Sequence, residues 1–153
     1  MTEHVVASVE VEIAAPAAHV WAVLTAFADY PQWNPFTVEV ETTLEPGAPV
    51  VLTLASGIVS REYIRVVDPP RHLRYDTGEE IPGVFAVRDQ WITARGPDRC
   101  AYRTTDAFTG RHAAQVMAAT GGWVKEGFDA VAHALKARAE SLTPGRPASR
   151  PAS

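Results

Sequence analysis

The sequence has 153 residues, enough for one hydrophobic core, and its 46% hydrophobic and 21% charged residues are typical of a soluble globular domain. A net charge of -4 disfavours a nucleic-acid-binding module, which needs a basic surface, so we expect no nucleic-acid partner. No stretch approaches about 20 consecutive apolar residues, so we expect no stable insertion into a membrane. The start has no cationic segment followed by an apolar block, which favours a cytoplasmic location. The single cysteine, Cys100, is predicted to be buried on a strand.

The first third of the chain changes its hydrophobic period twice. Apolar and acidic residues alternate from Val9 to Ile13, so we predict that a strand covers Val5 to Ile13. Pro16 then suits a first helical position, and the apolar residues that follow recur at helical spacing. A segment between Asp29 and Pro35 contains two prolines and allows one short helical turn. The sequence therefore predicts one strand followed by two short helices.

The rest of the chain is predicted to form about six strands and one long helix. Short alternating segments separated by turn residues run from Phe36 to Phe108, a pattern typical of an antiparallel meander. For the strand from Val59 to Val67 the pattern leaves the inward face open. An apolar stripe then predicts a helix from Ala113 to Leu142, about 45 Å long. The remaining residues, 143–153, have no apolar face and are predicted to be disordered.

Three glycines interrupt the predicted long helix. Gly121, Gly122 and Gly127 each cost about 1 kcal/mol relative to alanine in a helix interior. One interpretation is a bend or thin place that opens space beside the sheet, and the other is close packing of backbone on backbone. The fold prediction is thus an α+β domain in which a curved antiparallel sheet of about seven strands surrounds a long C-terminal helix, with room between them for a small molecule.

Several segments resemble one known superfamily. They run from Ile13 to Trp21, Phe27 to Phe36, Val67 to Tyr75, Asp106 to Gly110 and Ala134 to Glu140. Together they are similar to the SRPBCC superfamily of START-like, birch-pollen-allergen-like helix-grip proteins, and closest to its bacterial polyketide cyclase/dehydrase and lipid transport branch. The resemblance implies a helix-grip domain over residues 1–142. The superfamily includes carriers, aromatase/cyclases, hydrolase-like members, ligand-sensing receptors and coenzyme Q binders, so it implies no single chemistry.

The last hairpin gives the sharpest local hypothesis. If Arg88, Gln90 and Arg103 face water, alternation turns Asp89 and Asp106 inward. With Arg95 and Cys100 closing the turn, Asp89 lies opposite Asp106, whereas a slip of two residues places Thr104 opposite Asp89. Two carboxylates on one apolar face are costly unless they are protonated, hydrogen-bonded or ligand-bound. Both aspartates are therefore candidate catalytic residues for general acid/base work; the alternatives are solvated residues at the cavity rim, a pairing with Arg61, or anchoring of a polar ligand group.

The inward faces of the predicted strands, with two tryptophans, define a candidate ligand-binding surface. For Trp33 and Trp123, core packing is the alternative to ligand contact. The full predicted set is Trp33, Phe36, Val38, Leu52, Leu73, Tyr75, Phe85, Val87, Asp89, Trp91, Tyr102, Thr104, Asp106, Phe108 and Trp123. The five histidines are scattered, and we find no phosphate-binding glycine loop or nucleophile motif, so we predict neither a metal site nor a cofactor.

Two functional hypotheses follow. The first is binding or carriage of a small hydrophobic molecule, such as a lipid, polyketide or isoprenoid, in a cavity between the sheet and the C-terminal helix. The alternative is a cofactor-independent enzyme of the cyclase/aromatase or dehydratase type, which uses cavity carboxylates as general acid and base. No feature of the sequence favours a protein partner.

Overall fold

The order of elements follows the sequence prediction closely. A computed structural model describes residues 2–142. The first predicted strand is divided at Ser8, whose backbone N–H donates to Thr104 O at 2.9 Å, and its two parts both pair with the last strand. The elements are β1 (His4–Ala7), β2 (Val11–Ile13), α1 (Ala17–Thr25), a 3₁₀ turn (Phe27–Asp29), α2 (Tyr30–Trp33), β3 (Thr37–Thr42), β4 (Pro49–Leu54), β5 (Val59–Asp68), β6 (His72–Asp76), β7 (Phe85–Ala94), β8 (Cys100–Thr109) and α3 (Ala113–Ser141).

Within residues 2–142 the eight strands form one antiparallel sheet, ordered β1-β8-β7-β6-β5-β4-β3, and β2 extends the pairing of β1 along β8. Each strand from β3 to β7 pairs with the next one in the chain, which is the predicted meander. The predicted α+β helix-grip fold is confirmed.

The helix α3 crosses the sheet with an apolar face toward it. Its 29 residues span about 44 Å at the rise of an α-helix. The buried face includes Val124, Phe128, Val131 and Leu135, spaced by three or four residues as the sequence predicted. This face packs against β1, β2, β8 and α1, which lie toward one end of the sheet.

The largest core cluster lies between the second half of α3, α1 and the neighbouring strands. Ile13, Leu24 and Leu135 belong to it and are at most 1% exposed. Cys100 is also buried here, as predicted, and burial raises the pKa of its thiol to about 11. The interior of this half of the domain is filled by side chains.

The inward face of β7 differs from the prediction. Ala94, rather than Arg95, pairs with Cys100 at the end of the hairpin, and Arg95 N donates to Arg99 O within the loop. This displacement of one residue exchanges the two faces of β7. Arg88 and Gln90, predicted to face water, are therefore buried on the inner side.

None of the helices within residues 2–142 is long and apolar enough to cross a membrane. The segment predicted to be disordered, 143–153, lies outside the described residues.

Candidate functional site

A cavity of about 220 Å³ lies between the first half of α3 and the strands that α3 leaves uncovered. Its walls come from strands β4 to β8, from the segment before β3, and from α3. The lining residues are Phe36, Thr37, Leu52, Leu54, Ile58, Ser60, Glu62, Tyr75, Arg88, Asp106, Phe108, Thr120, Trp123, Val124 and Phe128. A second, much smaller void of about 10 Å³ continues inward past Arg88 and Tyr75.

The mouth of the cavity is apolar and aromatic. The Phe36 ring lies 5.8 Å from the Trp123 ring and 5.7 Å from the Phe128 ring, centroid to centroid. Trp123 is 39% exposed and Ile58, on the opposite side, is 49% exposed. These large side chains present apolar surface to solvent at the entrance, as is common at ligand-binding grooves.

Of the three glycines in α3, Gly127 has the clearest packing role. A Cβ atom at Gly127 would overlap the ring of Phe36, whereas one at Gly122 would meet no atom within 4 Å. A Cβ at Gly121 would touch the flexible Met117 side chain. The close approach is thus side chain to helix backbone rather than backbone to backbone, and α3 is thin where Phe36 lies against it.

The inner end of the cavity is polar and centres on Arg88. Its Nε donates to Thr104 Oγ1 at 2.7 Å, its Nη1 donates to Tyr75 OH at 3.4 Å, and its guanidinium carbon lies 4.0 Å from the centroid of the Phe128 ring. Burial lowers the pKa of Arg88, but the nearby Tyr75 and other groups outweigh burial and raise it above its ordinary value. The side chain therefore carries a positive charge inside the domain.

Two carboxyl groups share this polar end. Asp106 lies opposite Arg88 in the β7–β8 ladder, and Glu62 reaches the cavity from β5. Burial, reinforced by the charge of Asp106, raises the pKa of Glu62 to about 8, although Arg88 and a hydrogen bond from Ser60 oppose the rise. Burial likewise raises the pKa of Asp106 to about 7, against the effect of Arg88.

One oxygen of this cluster has no hydrogen-bond partner. Asp106 Oδ1 is inaccessible to solvent and receives no hydrogen bond from any residue of the described chain. A buried acceptor without a donor costs about 1 to 3 kcal/mol, and ligand sites are one place where proteins retain such groups. One carboxylate suffices to balance the charge of Arg88, so the second carboxyl keeps its proton near neutral pH. The cluster thus offers an acceptor and a donor close together.

The structure places part of the predicted ligand-binding set in this cavity. The residues found there are Phe36, Leu52, Tyr75, Asp106, Phe108 and Trp123. Leu73 lines the smaller void, while Thr104 and Tyr102 lie beneath the polar end, where Tyr102 OH donates to Gln90 Oε1 at 2.6 Å. Trp33 packs against the core cluster by α1, and Val38 lies at a bulge of β3 outside the cavity lining.

The four predicted residues on β7 face away from the cavity, on the outer side of the sheet. Phe85 is exposed and Val87 is half-buried there. Asp89 accepts hydrogen bonds from Arg74 Nε and Nη2 at 2.8 and 3.2 Å, and its Oδ1 lies 2.6 Å from His72 Nε2. The prediction that Asp89 shares an inward face with Asp106 is therefore wrong, because the hairpin register turns Arg88 inward instead.

Trp91 lies on the same outer face. Its ring stacks on His72 with centroids 5.4 Å apart, and the guanidinium carbon of Arg103 lies 4.1 Å from its centroid. These two neighbours cover an apolar ring that would otherwise be exposed.

The carboxyl that does accompany Asp106 is Glu62, on the strand whose face the sequence analysis left open. Three residues, 55–57, connect β4 and β5, so Leu52 pairs with Ser60 and Val50 with Glu62. A two-residue turn at Ser56-Gly57 would instead have placed Arg61 opposite Leu52. Leu52 was predicted to face inward, and Val50 shares its face because it lies two residues earlier on the same strand. Pairing with this face across the three-residue turn assigns Glu62 to the cavity.

Comparisons with known proteins agree with this architecture. The family described as polyketide cyclase / dehydrase and lipid transport matches residues 4–140. The chain belongs to this family. No curated protein sequence matches it significantly.

Solved structures of other proteins share the fold. A START superfamily protein from Mycobacterium smegmatis is similar with a TM-score of 0.67 and 20% identity, over 92% of this chain and 99% of that one. Norcoclaurine synthase from Thalictrum flavum, as a point mutant in complex with a transition state analogue, gives a TM-score of 0.65 and 17% identity, over 90% and 94% of the two chains. A protein from Thermobifida fusca gives a TM-score of 0.65 and 23% identity, over 90% of this chain and 94% of that one. At these identities the similarity shows the fold, and the resemblance to START-like helix-grip proteins is confirmed.

Proposed function

We propose that the protein binds a small, mostly apolar molecule in the 220 Å³ cavity, with a polar group of that molecule at the cluster of Arg88, Asp106 and Glu62. The observation that carries this proposal is Asp106 Oδ1, an unpartnered acceptor among the described residues at the inner end of an apolar cavity. The Asp106 carboxyl lines the cavity, so a small rotation of this carboxyl would present the oxygen to a hydrogen-bond donor on the ligand. Membership of a family of cyclases, dehydrases and lipid-transport proteins supports the same reading.

The walls supply the affinity. Phe36, Phe108, Trp123 and Phe128 surround the cavity, and each Å² of apolar ligand surface buried there contributes about 25 cal/mol. Apolar cavities of about 150 Å³ hold a benzene molecule. The larger space here suits one or two fused rings or a short chain, and a longer ligand would extend through the mouth between Trp123 and Ile58.

A filled-cavity variant tests this proposal. Thr120 lines the cavity from α3, so Thr120→Trp places a large ring inside it. Val87 is half-buried on the outer face of β7, so Val87→Trp is the matched control. We expect a neutral naphthylamine dye to bind the wild type and Val87→Trp with equal affinity, and Thr120→Trp at least about tenfold more weakly, as measured by fluorescence titration. Equal binding by a folded Thr120→Trp variant would exclude this cavity as the site.

A second candidate function is proton-transfer catalysis of the cyclase or dehydratase type. The observation that favours it is the pair of carboxyls with raised pKa values, since an acid and a base that titrate near neutral pH suit proton transfer. In a dehydration, Asp106 as carboxylate would take a proton from the carbon next to a carbonyl. Glu62 as the acid would protonate the departing hydroxyl, which leaves as water.

Native mass spectrometry of protein purified from its own host separates the two functions. A carrier retains one molecule, and Asp106→Asn or Glu62→Gln alters its affinity without altering its mass. An enzyme retains a product lighter by one water than the molecule held by Asp106→Asn. Identical masses in the wild type and both variants would exclude dehydration, and identical chromatographic retention of the released molecules would exclude cyclisation as well.

A further inference from the structure

The polar end of the cavity has an unequal set of charges. Four titratable side chains line the cavity, namely Glu62 from β5, Tyr75 from β6, Arg88 from β7 and Asp106 from β8. The part of α3 that lines it contributes Thr120, Trp123, Val124 and Phe128, none of which is charged. One cation thus faces two carboxyls, and Asp89 and Asp76 on the outer face add to the negative field felt by Asp106 and Glu62.

The cation of this cluster is already engaged by the protein. Arg88 donates from Nε to Thr104 and from Nη1 to Tyr75, and the Phe128 ring covers one face of its guanidinium. The nearby Asp106 and Glu62 both favour its charged form. Its positive charge is therefore partly offset by the two carboxyls before any ligand anion binds.

The geometry points to a ligand class: we propose that the cavity selects molecules whose polar group is an uncharged hydroxyl and discriminates against carboxylates. A hydroxyl can donate to the Asp106 carboxyl, which lines the cavity and has an oxygen without a partner, and it adds no charge. A carboxylate has no proton to donate to the Asp106 carboxyl and adds a further negative charge at low dielectric. This inference rests on the proposed function, since it concerns the same cavity.

Discrimination against carboxylates increases with pH. Burial and neighbouring charges hold the pKa values of Asp106 and Glu62 at about 7 and about 8, so both carboxyls become anionic at higher pH. A ligand carboxylate then faces two anions and one cation. The affinity for an alcohol changes little, because Asp106 still accepts its hydrogen bond.

Three naphthalene derivatives of similar size test the proposal on the full-length protein: methylnaphthalene, naphthylmethanol and naphthoate. At about pH 8.5, we expect naphthylmethanol to bind at least about tenfold more tightly than naphthoate, and more tightly than methylnaphthalene. Between about pH 6 and pH 8.5, naphthoate should lose at least about tenfold in affinity while naphthylmethanol stays within about threefold. Displacement of the naphthylamine dye measures all three.

Variants separate charge from hydrogen bonding. Asp106→Asn removes the charge but keeps an acceptor oxygen, so naphthoate should gain about tenfold while naphthylmethanol changes by less than about threefold. Glu62→Gln should improve naphthoate binding in the same direction, and Glu39→Gln, at an exposed position on β3, should change neither affinity. Naphthoate binding as tightly as naphthylmethanol in the wild type at about pH 8.5 would overturn the inference while leaving the proposed function standing. If the dye and all three compounds fail to bind, the proposed function itself fails.

Discussion

Replacing Glu62 by glutamine should change how the stability of the protein depends on pH. The pKa of Glu62 is raised from 4.5 to about 8, first by burial and then by the charge of Asp106. Between these two pH values the folded protein holds a proton that the unfolded chain has lost. The free energy of unfolding of the wild type therefore falls as pH rises through this range and levels off above about pH 8. Glutamine has no proton to lose, so Glu62→Gln removes this contribution.

The magnitude follows from the two pKa values. A tenfold change in a proton-binding constant corresponds to about 1.4 kcal/mol. The rise to about 8 then corresponds to roughly 3 to 5 kcal/mol, where the lower value allows for solvent screening of a partly exposed side chain. We expect Glu62→Gln to gain this amount of stability relative to the wild type between about pH 4.5 and pH 9.

Urea unfolding followed by far-ultraviolet circular dichroism measures this difference at both pH values. Glu39→Gln is the matched control, because it removes an exposed carboxyl from β3, the edge strand of the same sheet. The comparison uses the difference between variant and wild type, which cancels the titration of groups that do not interact with Glu62. A difference that is the same at both pH values would refute the claim that Glu62 is held in the cavity with a raised pKa.

Two further predictions concern α3 and the buried cation. Gly127→Ala should weaken binding of the naphthylamine dye at least about threefold, because the added Cβ displaces the Phe36 ring. Gly122→Ala should leave dye binding unchanged and stabilise the protein by about 1 kcal/mol. Weaker dye binding by Gly122→Ala than by Gly127→Ala would contradict the described packing. Arg88→Met should destabilise the protein by about 3 kcal/mol or more, and more at about pH 8 than at pH 5, because the carboxyls lose their counter-ion. Urea unfolding at the two pH values measures this loss of stability. A loss of stability that is the same at both pH values would show that Arg88 acts only through packing.

The sequence predicted most reliably what local periodicity determines. The stripe from Val124 to Leu135 repeats every three or four residues over several turns, and only a helix places such residues on one face. The strands from Phe36 onward were recognisable because each is short, alternating and bounded by turn residues. Pro16 and the apolar residues after it marked the start of α1 in the same way.

The face of β7 was not predictable by the same reasoning. Its larger apolar residues, Phe85, Val87 and Trp91, share one face, and that face is the outer one. The Arg95–Arg99 loop sets the register that turns Arg88 inward. Partners distant in sequence then stabilise the buried Arg88 side chain. Those partners are Thr104 from β8, Tyr75 from β6 and Phe128 from α3. A pattern confined to one strand contains no information about them.

Assignment of the second carboxyl failed for a different reason. The pattern of β5 is mixed on both faces, so alternation within the strand could not choose between Glu62 and its neighbours. Its pairing with β4 resolves the choice, since Val50 opposite Glu62 is buried at 1% exposure. Pairing β4 with β5 assigns Glu62 to the inner face only when the turn between them is counted as three residues, 55–57, and it leaves Arg88 unassigned.

The division of α3 into two halves has a consequence for how such a protein can diversify. Ala132, Leu135 and Ala139 belong to the filled core, whereas Thr120 and Trp123 line the cavity and belong to no buried core cluster. Mutations at the two cavity positions can therefore reshape the binding space at little cost in folding stability. One scaffold can in this way explore many ligand shapes by drift at a few cavity-lining positions of a helix while selection for folding acts on its buried positions.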